Sequence, residues 1–329
     1  MRIRTLSLAL VSALATMLGT VLAVAPPGHA AASASDPVVL VSTSAQLKSA
    51  LAAAAPGATI RLADGTYTGN FRTTRAGRAD ARITLVGSTN AVLRTGTGGG
   101  YALHLDGAAY WTVRGITLTH AQKGIMIDAA RGVLVDSVTV HELTMEGVHF
   151  RNSSSDGAIV DSRIYDTGRD NRGMGEGVYV GTANTLADRS DRVQILRNVI
   201  GPDVGGEAVD LKEGTTGGRV AGNTFDGTGL TGNNYDDSWV DVKGNGYLIE
   251  DNTGRDSTND GFQVHAQFPG WGCGTVFHAN RADLTGATGP DRLAIHAFSY
   301  TAACPTTVTA DNTVVGGNGL VNPGVPVIP

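Results

Sequence analysis

Charge and aromatic rings are both scarce in this 329-residue chain: charged residues make up 17 % and aromatic residues 5 %. The shortage of charge excludes a charge-rich disordered chain and a coiled coil. Cysteine is nearly absent. The pair Cys273 and Cys304 is too small for a cysteine-framed miniprotein or for a zinc site built on cysteine. No helical hydrophobic periodicity runs through the chain, which excludes a helix bundle. Glycine is abundant, with 45 residues punctuating Val/Ile/Leu runs, and the hydrophobic share of 41 % suffices for a core. These features read as one large all-β domain.

Only the first segment is apolar over a long run. Arg2 and Arg4 precede an apolar stretch from Leu6 to Ala25, and small residues end at Ala32-Ser33-Ala34. The pattern predicts an export signal over residues 1–34, cleaved after Ala34, rather than a membrane anchor, because Pro26-Pro27-Gly28 breaks the run. Residues 35–329 then form a single domain of an extracellular protein with no membrane attachment, expected to be a monomer. Removing Arg2 and Arg4 leaves 23 basic against 30 acidic residues, a net charge of −7. Nucleic acid is not an expected partner, and an acidic polysaccharide has to be captured by local cations or a bound metal.

A hexad with apolar residues at its third and fifth positions recurs eight times: YALHLD from Tyr101, KGIMID from Lys123, EGVHFR from Glu146, EGVYVG from Glu176, EAVDLK from Glu207, SWVDVK from Ser238, DGFQVH from Asp260 and DRLAIH from Asp291. The alternation is that of a half-buried strand. Spacings of 22 to 31 residues fit the coils of a parallel β-helix, a solenoid of about eight or more turns, the longer ones carrying an extra corner loop. A second series follows the hexads at one phase: Gly115, Ser137, Ser162, Asn198, Asn223, Asn252, Asn280 and Asn312. The five Asn predict an internal ladder in which each amide bonds the next coil's backbone. Cys273 and Cys304 are 31 residues apart, the same spacing as their neighbouring hexads, so they fall on adjacent coils and can form a disulfide. Ahead of the coils, residues 43–55 read as a short amphipathic helix with Leu47 and Leu51 on one face and a Pro56-Gly57 stop. It is expected to cap the open sheet edges.

Stacking the hexads puts their outward residues in columns about 4.8 Å apart. The first column carries Glu146, Glu176 and Glu207; the fourth carries His149, Tyr179, Asp210, Asp241, Gln263 and Ala294; the sixth carries Arg151, Lys212, Lys243, His265 and His296. So many stacked carboxylates repel one another unless protonated, paired with lysine or bridged by a cation such as Ca²⁺. Lys212 beside Lys243 lowers the proton affinity of each, which suits a general base. The competing reading is that the carboxylates keep both charged as anchors.

The opening helix followed by PGATIRLADGTY and ITLVGS resembles the start of right-handed β-helix polysaccharide lyases of the chondroitinase B and alginate lyase type, polysaccharide lyase family 6. The stretch EAVDLKEGTTGGRVAGNTF resembles that family's segment in which a calcium-binding Glu sits five residues before the catalytic Lys. The resemblance implies a right-handed helix, Glu207 as a calcium ligand and Lys212 as the base. It departs from the family at Gly205, where a second acidic ligand is expected, and at the family's arginine on the next coil, for which Lys243 in WVDVKGN is the nearest counterpart.

β-Elimination from a uronic acid then assigns Ca²⁺ to Glu176, Glu207 and Asp241, proton abstraction to Lys212, and charge stabilisation or leaving-group help to Lys243, Tyr179 or Arg151. His149 and His265 are reserve acid/base or substrate-binding groups, and Asp210 and Trp239 are further substrate contacts. Two other classes remain. A β-helix glycoside hydrolase needs a carboxyl pair, Asp210 with Asp241 or Glu176 with Glu207. A non-catalytic carbohydrate-binding solenoid needs only exposed rings, with Trp239, Tyr179 and Tyr101 as candidates.

Overall fold

The computed structural model describes residues 38–298 and 300–329; the export signal and its cleavage point fall outside them. The chain winds into three parallel sheets of twelve, ten and ten strands. Successive coils add neighbouring strands to each sheet, which is the parallel β-helix expected from the hexads. Eight consecutive strands of one ten-stranded sheet lie in the hexads, from Tyr101–Asp106 to Leu293–Ala297, with Phe71–Thr73 and Gly319–Val321 at its edges. Among the described residues no helix is long and apolar enough to cross a membrane.

Inward positions of the hexads, such as Ile125, Ile127, Val209, Leu211, Val240 and Val242, are buried in one continuous core. The expected register holds over seven hexads, pairing His149 with Tyr179, Tyr179 with Asp210, Asp210 with Asp241 and Asp241 with Gln263. It slips at the eighth. Gln263 faces His296 rather than Ala294, and Val264 faces Ala297. A shift of two residues keeps every side chain on its own face, so alternation in the sequence could not reveal it.

At the N-terminal end, helix α1 (Ser44–Ala53) is closed by a capping box in which Thr43 accepts from the Gln46 N–H and the Gln46 side chain accepts from the Thr43 N–H. Leu47 and Leu51 are fully buried, as the cap reading requires. The asparagine ladder also forms. Each of Asn198, Asn223, Asn252 and Asn280 donates Nδ2 to Oδ1 of the next Asn at 2.9 to 3.0 Å, and the backbone N–H of each donates to that same oxygen. Ser162 joins through its own N–H to Asn198. Cys273 and Cys304 form a disulfide, with Cα atoms 4.7 Å apart.

Trp239 corrects the sequence reading. It is not an exposed sugar contact but a buried core residue whose Nε1–H donates to the Arg255 carbonyl and whose ring meets Phe262 edge-on. The space comes from two glycines: a Cβ at Gly254 would lie 2.4 Å, and one at Gly261 2.7 Å, from the indole.

Candidate active site

The outward face of the hexad sheet forms the floor of a cleft of about 990 Å³. Strands Val178–Val180, Val209–Leu211 and Val240–Val242 bring Tyr179, Asp210, Lys212, Asp241 and Lys243 onto that floor. Loops carrying Met174, Asn184 and Tyr235 line it as well.

Asp210 organises the centre. It is 1 % exposed, and its carboxylate accepts from Lys212 on one oxygen and from Lys243, at 3.1 Å, on the other; Lys243 also pairs with Asp241. Burial alone would lower the proton affinity of both lysines, but the Asp210 charge and its hydrogen bonds to Lys212 overcome it, and both pKa values end above the usual lysine range. The Lys212 charge does lower the proton affinity of Lys243, as neighbouring ammonium groups must, but the carboxylates outweigh it, which favours the competing reading that both lysines stay charged. The carboxylate between them decides the sign. Asp210 itself stays below the usual carboxylate range because the lysine charges outweigh its burial.

Glu176 and Glu207 have no such partner. Both are buried, and Glu176 Oε2 is enclosed without a hydrogen bond. Burial first, then the nearby Asp210 charge, push Glu176 up to about 8 and Glu207 well above its ordinary value. The pair is thus short of positive charge. Oxygens of Glu176, Glu207 and Asp210 lie within 4.8 Å of one another, a hard-oxygen set that fits a divalent cation such as Ca²⁺. Of the expected set, Asp241 is left out of this grouping; Lys243 takes one of its oxygens, and the other is buried without a hydrogen bond. Asp210, read as a substrate contact, instead lies under the lysines as their counter-ion.

Toward the N-terminal end, Glu146 pairs with Lys123 at 2.7 Å. His149 is buried, its Nε2 at 2.9 Å from the Gly181 carbonyl and its ring edge-on to Tyr179. Arg151 forms a two-pronged pair with Asp128 at 2.8 and 3.0 Å. Tyr179 is half-buried, with Lys212 Nζ 5.0 Å from its ring centre. At the other end His265 stacks on Phe298 and bonds Gln263 Oε1 at 3.1 Å. The sequence missed Phe298, because the register slip carries it into the sixth column beside His265, and Tyr235, which lies in a loop outside the hexads. Asp210 and Asp241 are both tied to ammonium groups, so neither is the free carboxylic acid that a hydrolase requires.

No protein-family model and no curated protein matches the chain. Among solved structures, the alginate lyase from Paenibacillus sp. strain FPU-7 is 38 % identical with a TM-score of 0.81, the match covering 88 % of this chain and 99 % of that one. Pectate lyase Pel9A is 15 % identical with a TM-score of 0.61, covering 83 % and 70 %. The A-module of mannuronan C-5 epimerase AlgE4 from Azotobacter vinelandii is 16 % identical at 0.52, covering 84 % of each chain. These last two share the fold. With the first at that identity over nearly its full length, the chain belongs to the right-handed parallel β-helix polysaccharide lyases, in the family of the Paenibacillus alginate lyase.

Proposed function

We propose that the protein is secreted and cleaves a uronic-acid polysaccharide of the alginate class, on which its 38 %-identical relative is named to act, by β-elimination. The observation that carries this reading is the Lys212–Asp210–Lys243 cluster on a cleft floor beside two carboxylates without cationic partners. In the reaction a base removes the C5 proton, the electron pair of that bond forms the C4–C5 double bond, and the C4–O4 bond breaks as O4 takes up a proton. Lys212 Nζ is the proton acceptor and the Tyr179 hydroxyl the donor to O4. Lys243, kept charged by Asp210 and Asp241, stabilises the negative charge that develops on the substrate carboxylate. Arg151 and His265 orient neighbouring sugars, and His149 holds the Tyr179 ring.

Asp210 keeps Lys212 protonated in the free protein, so the base form appears as pH rises or as positive charge brought to the cleft offsets the carboxylates around Lys212. A divalent cation such as Ca²⁺ would be held by Glu176 and Glu207 beside Asp210, and would supply neutralisation of the uronate carboxylate.

Incubation with a panel of uronans, following ultraviolet absorbance of an unsaturated product and new reducing ends separately, tests the reading. Both signals together mark elimination. Reducing ends alone mark hydrolysis, and retention on a uronan gel with neither signal marks a binding protein.

A further inference from the structure

Two aromatic side chains are exposed among the described residues, Tyr235 at 86 % and Phe298 at 48 %. Both line the cleft. The remaining large rings are buried or half-buried.

Neither is loosely placed. Asn234 and Tyr235 both adopt left-handed backbone, with φ of 53° and 67°, a conformation that residues bearing side chains avoid. The loop is pinned from two sides. The buried Asp236 carboxylate accepts from the Thr231 N–H and hydroxyl, and Asn234 Nδ2 donates at 2.9 Å to the carbonyl of Gly173, in a loop 61 residues earlier. Gly173 permits that approach, since a Cβ there would lie 2.1 Å from the Asn233 carbonyl oxygen. Phe298 is gripped differently. Its ring is stacked on His265 at 4.3 Å and on His296 at 3.6 Å, and His296 Nδ1 lies 2.9 Å from the fully buried Asp260 carboxylate.

Both follow Lys212 in the order of the coils. Tyr235 sits in the loop that leads into strand Val240–Val242. Phe298 follows strand Leu293–Ala297, and the register aligns it with His265, His265 with Lys243, and Lys243 with Lys212. Phe298 is thus three coils from Lys212, roughly 14 Å along the axis.

We propose that Tyr235 and Phe298 are sugar-stacking residues that hold pyranose rings of the reacting chain away from the bond being cleaved, making the cleft a reader of chain length. Pyranose rings present C–H faces that pack on aromatic surfaces; His265 Nε2–H is given to Gln263 Oε1 and His296 Nδ1–H to Asp260, so the second nitrogen of each imidazole beside Phe298 is an acceptor for hydroxyls at a ring's edge. Binding energy collected at such remote positions stabilises bound substrate and transition state alike, and so lowers KM. This inference rests on the proposed lyase activity.

Its test is kcat/KM over a size series of uronan oligosaccharides for the wild type, Tyr235→Ala and Phe298→Ala, with Tyr235→Phe and Phe298→Trp as ring-preserving controls. The expected loss grows with substrate length, reaches about ten-fold on polymer, appears in KM, and is restored by the ring-preserving variants. The same loss at every length, no loss, or no rescue by another ring overturns the proposal. A wild type inactive on every uronan overturns the lyase reading instead.

Discussion

At the scale of single residues, the identity of the base turns on a charge that the sequence listed but could not position. Lys212 and Lys243 were legible as neighbours. That Asp210 lies between them, with both oxygens engaged, was not, because the sign of a lysine shift depends on distances of a few ångströms. The consequence is testable with a substitution that keeps charge but cannot lose its proton. Lys212→Ala and Lys212→Arg are both expected to lower kcat by at least about 10²-fold, whereas a mere anchoring role would leave the arginine variant active in the absorbance assay. Asp128 gives a separate pH effect. Burial works to raise its pKa, but hydrogen bonds from His104 and Arg151, and the Arg151 charge, hold it well below its ordinary value near 3.8. The folded form therefore binds protons less readily than the unfolded form, and this stabilisation is present above pH 4 and fades as pH falls below it. Asp128→Asn is expected to lower the melting temperature at pH 7, with the gap to wild type narrowing toward pH 2. A constant gap across that range would remove Asp128 from the account.

At the scale of elements, the fold was readable because it repeats. Two independent series, the hexads and the asparagines, carried the same period, and seven of the eight strands pair as their spacing predicts. What escaped was the eighth: Leu293, Ile295 and Ala297 alternate with outward residues in either of two registers, so only the pairing partner distinguishes them. Trp239 escaped for a related reason. A large ring at a position otherwise held mostly by Gly or Ala looks outward-facing until the voids at Gly254 and Gly261 are known. The ladder itself predicts a sharp stability effect. Asn252→Ala strips acceptors from the Asn223 N–H and side chain and a donor from the Val220 carbonyl, all buried, and is expected to cost about 3 kcal/mol in urea unfolding. A loss below about 1 kcal/mol would mean that water replaces the amide.

For the molecule as a whole, the site was legible as a concentration of charge but not as its balance. Glu146, Glu176, Glu207, Asp210, Asp237, Asp241 and Asp291 line the cleft against Arg151, Lys212 and Lys243, so a polyanionic substrate enters a region already negative. Millimolar Ca²⁺ is accordingly expected to lower KM and raise the melting temperature, and chelation to reverse both; indifference of both readings to chelator would identify Glu176 and Glu207 as a proton-sharing pair. Reducing Cys273–Cys304 opens a loop of 31 residues and is expected to destabilise the chain by about 3 to 4 kcal/mol, read as a lower denaturant midpoint. The uniform rise per coil has one more effect. The wall advances by the strand spacing while a polysaccharide advances by the length of its sugar unit, so protein and substrate behave as two scales with unequal graduations, as in a vernier. Coincidence recurs only at intervals, and side chains at those intervals, not every rung, decide which polymers fit.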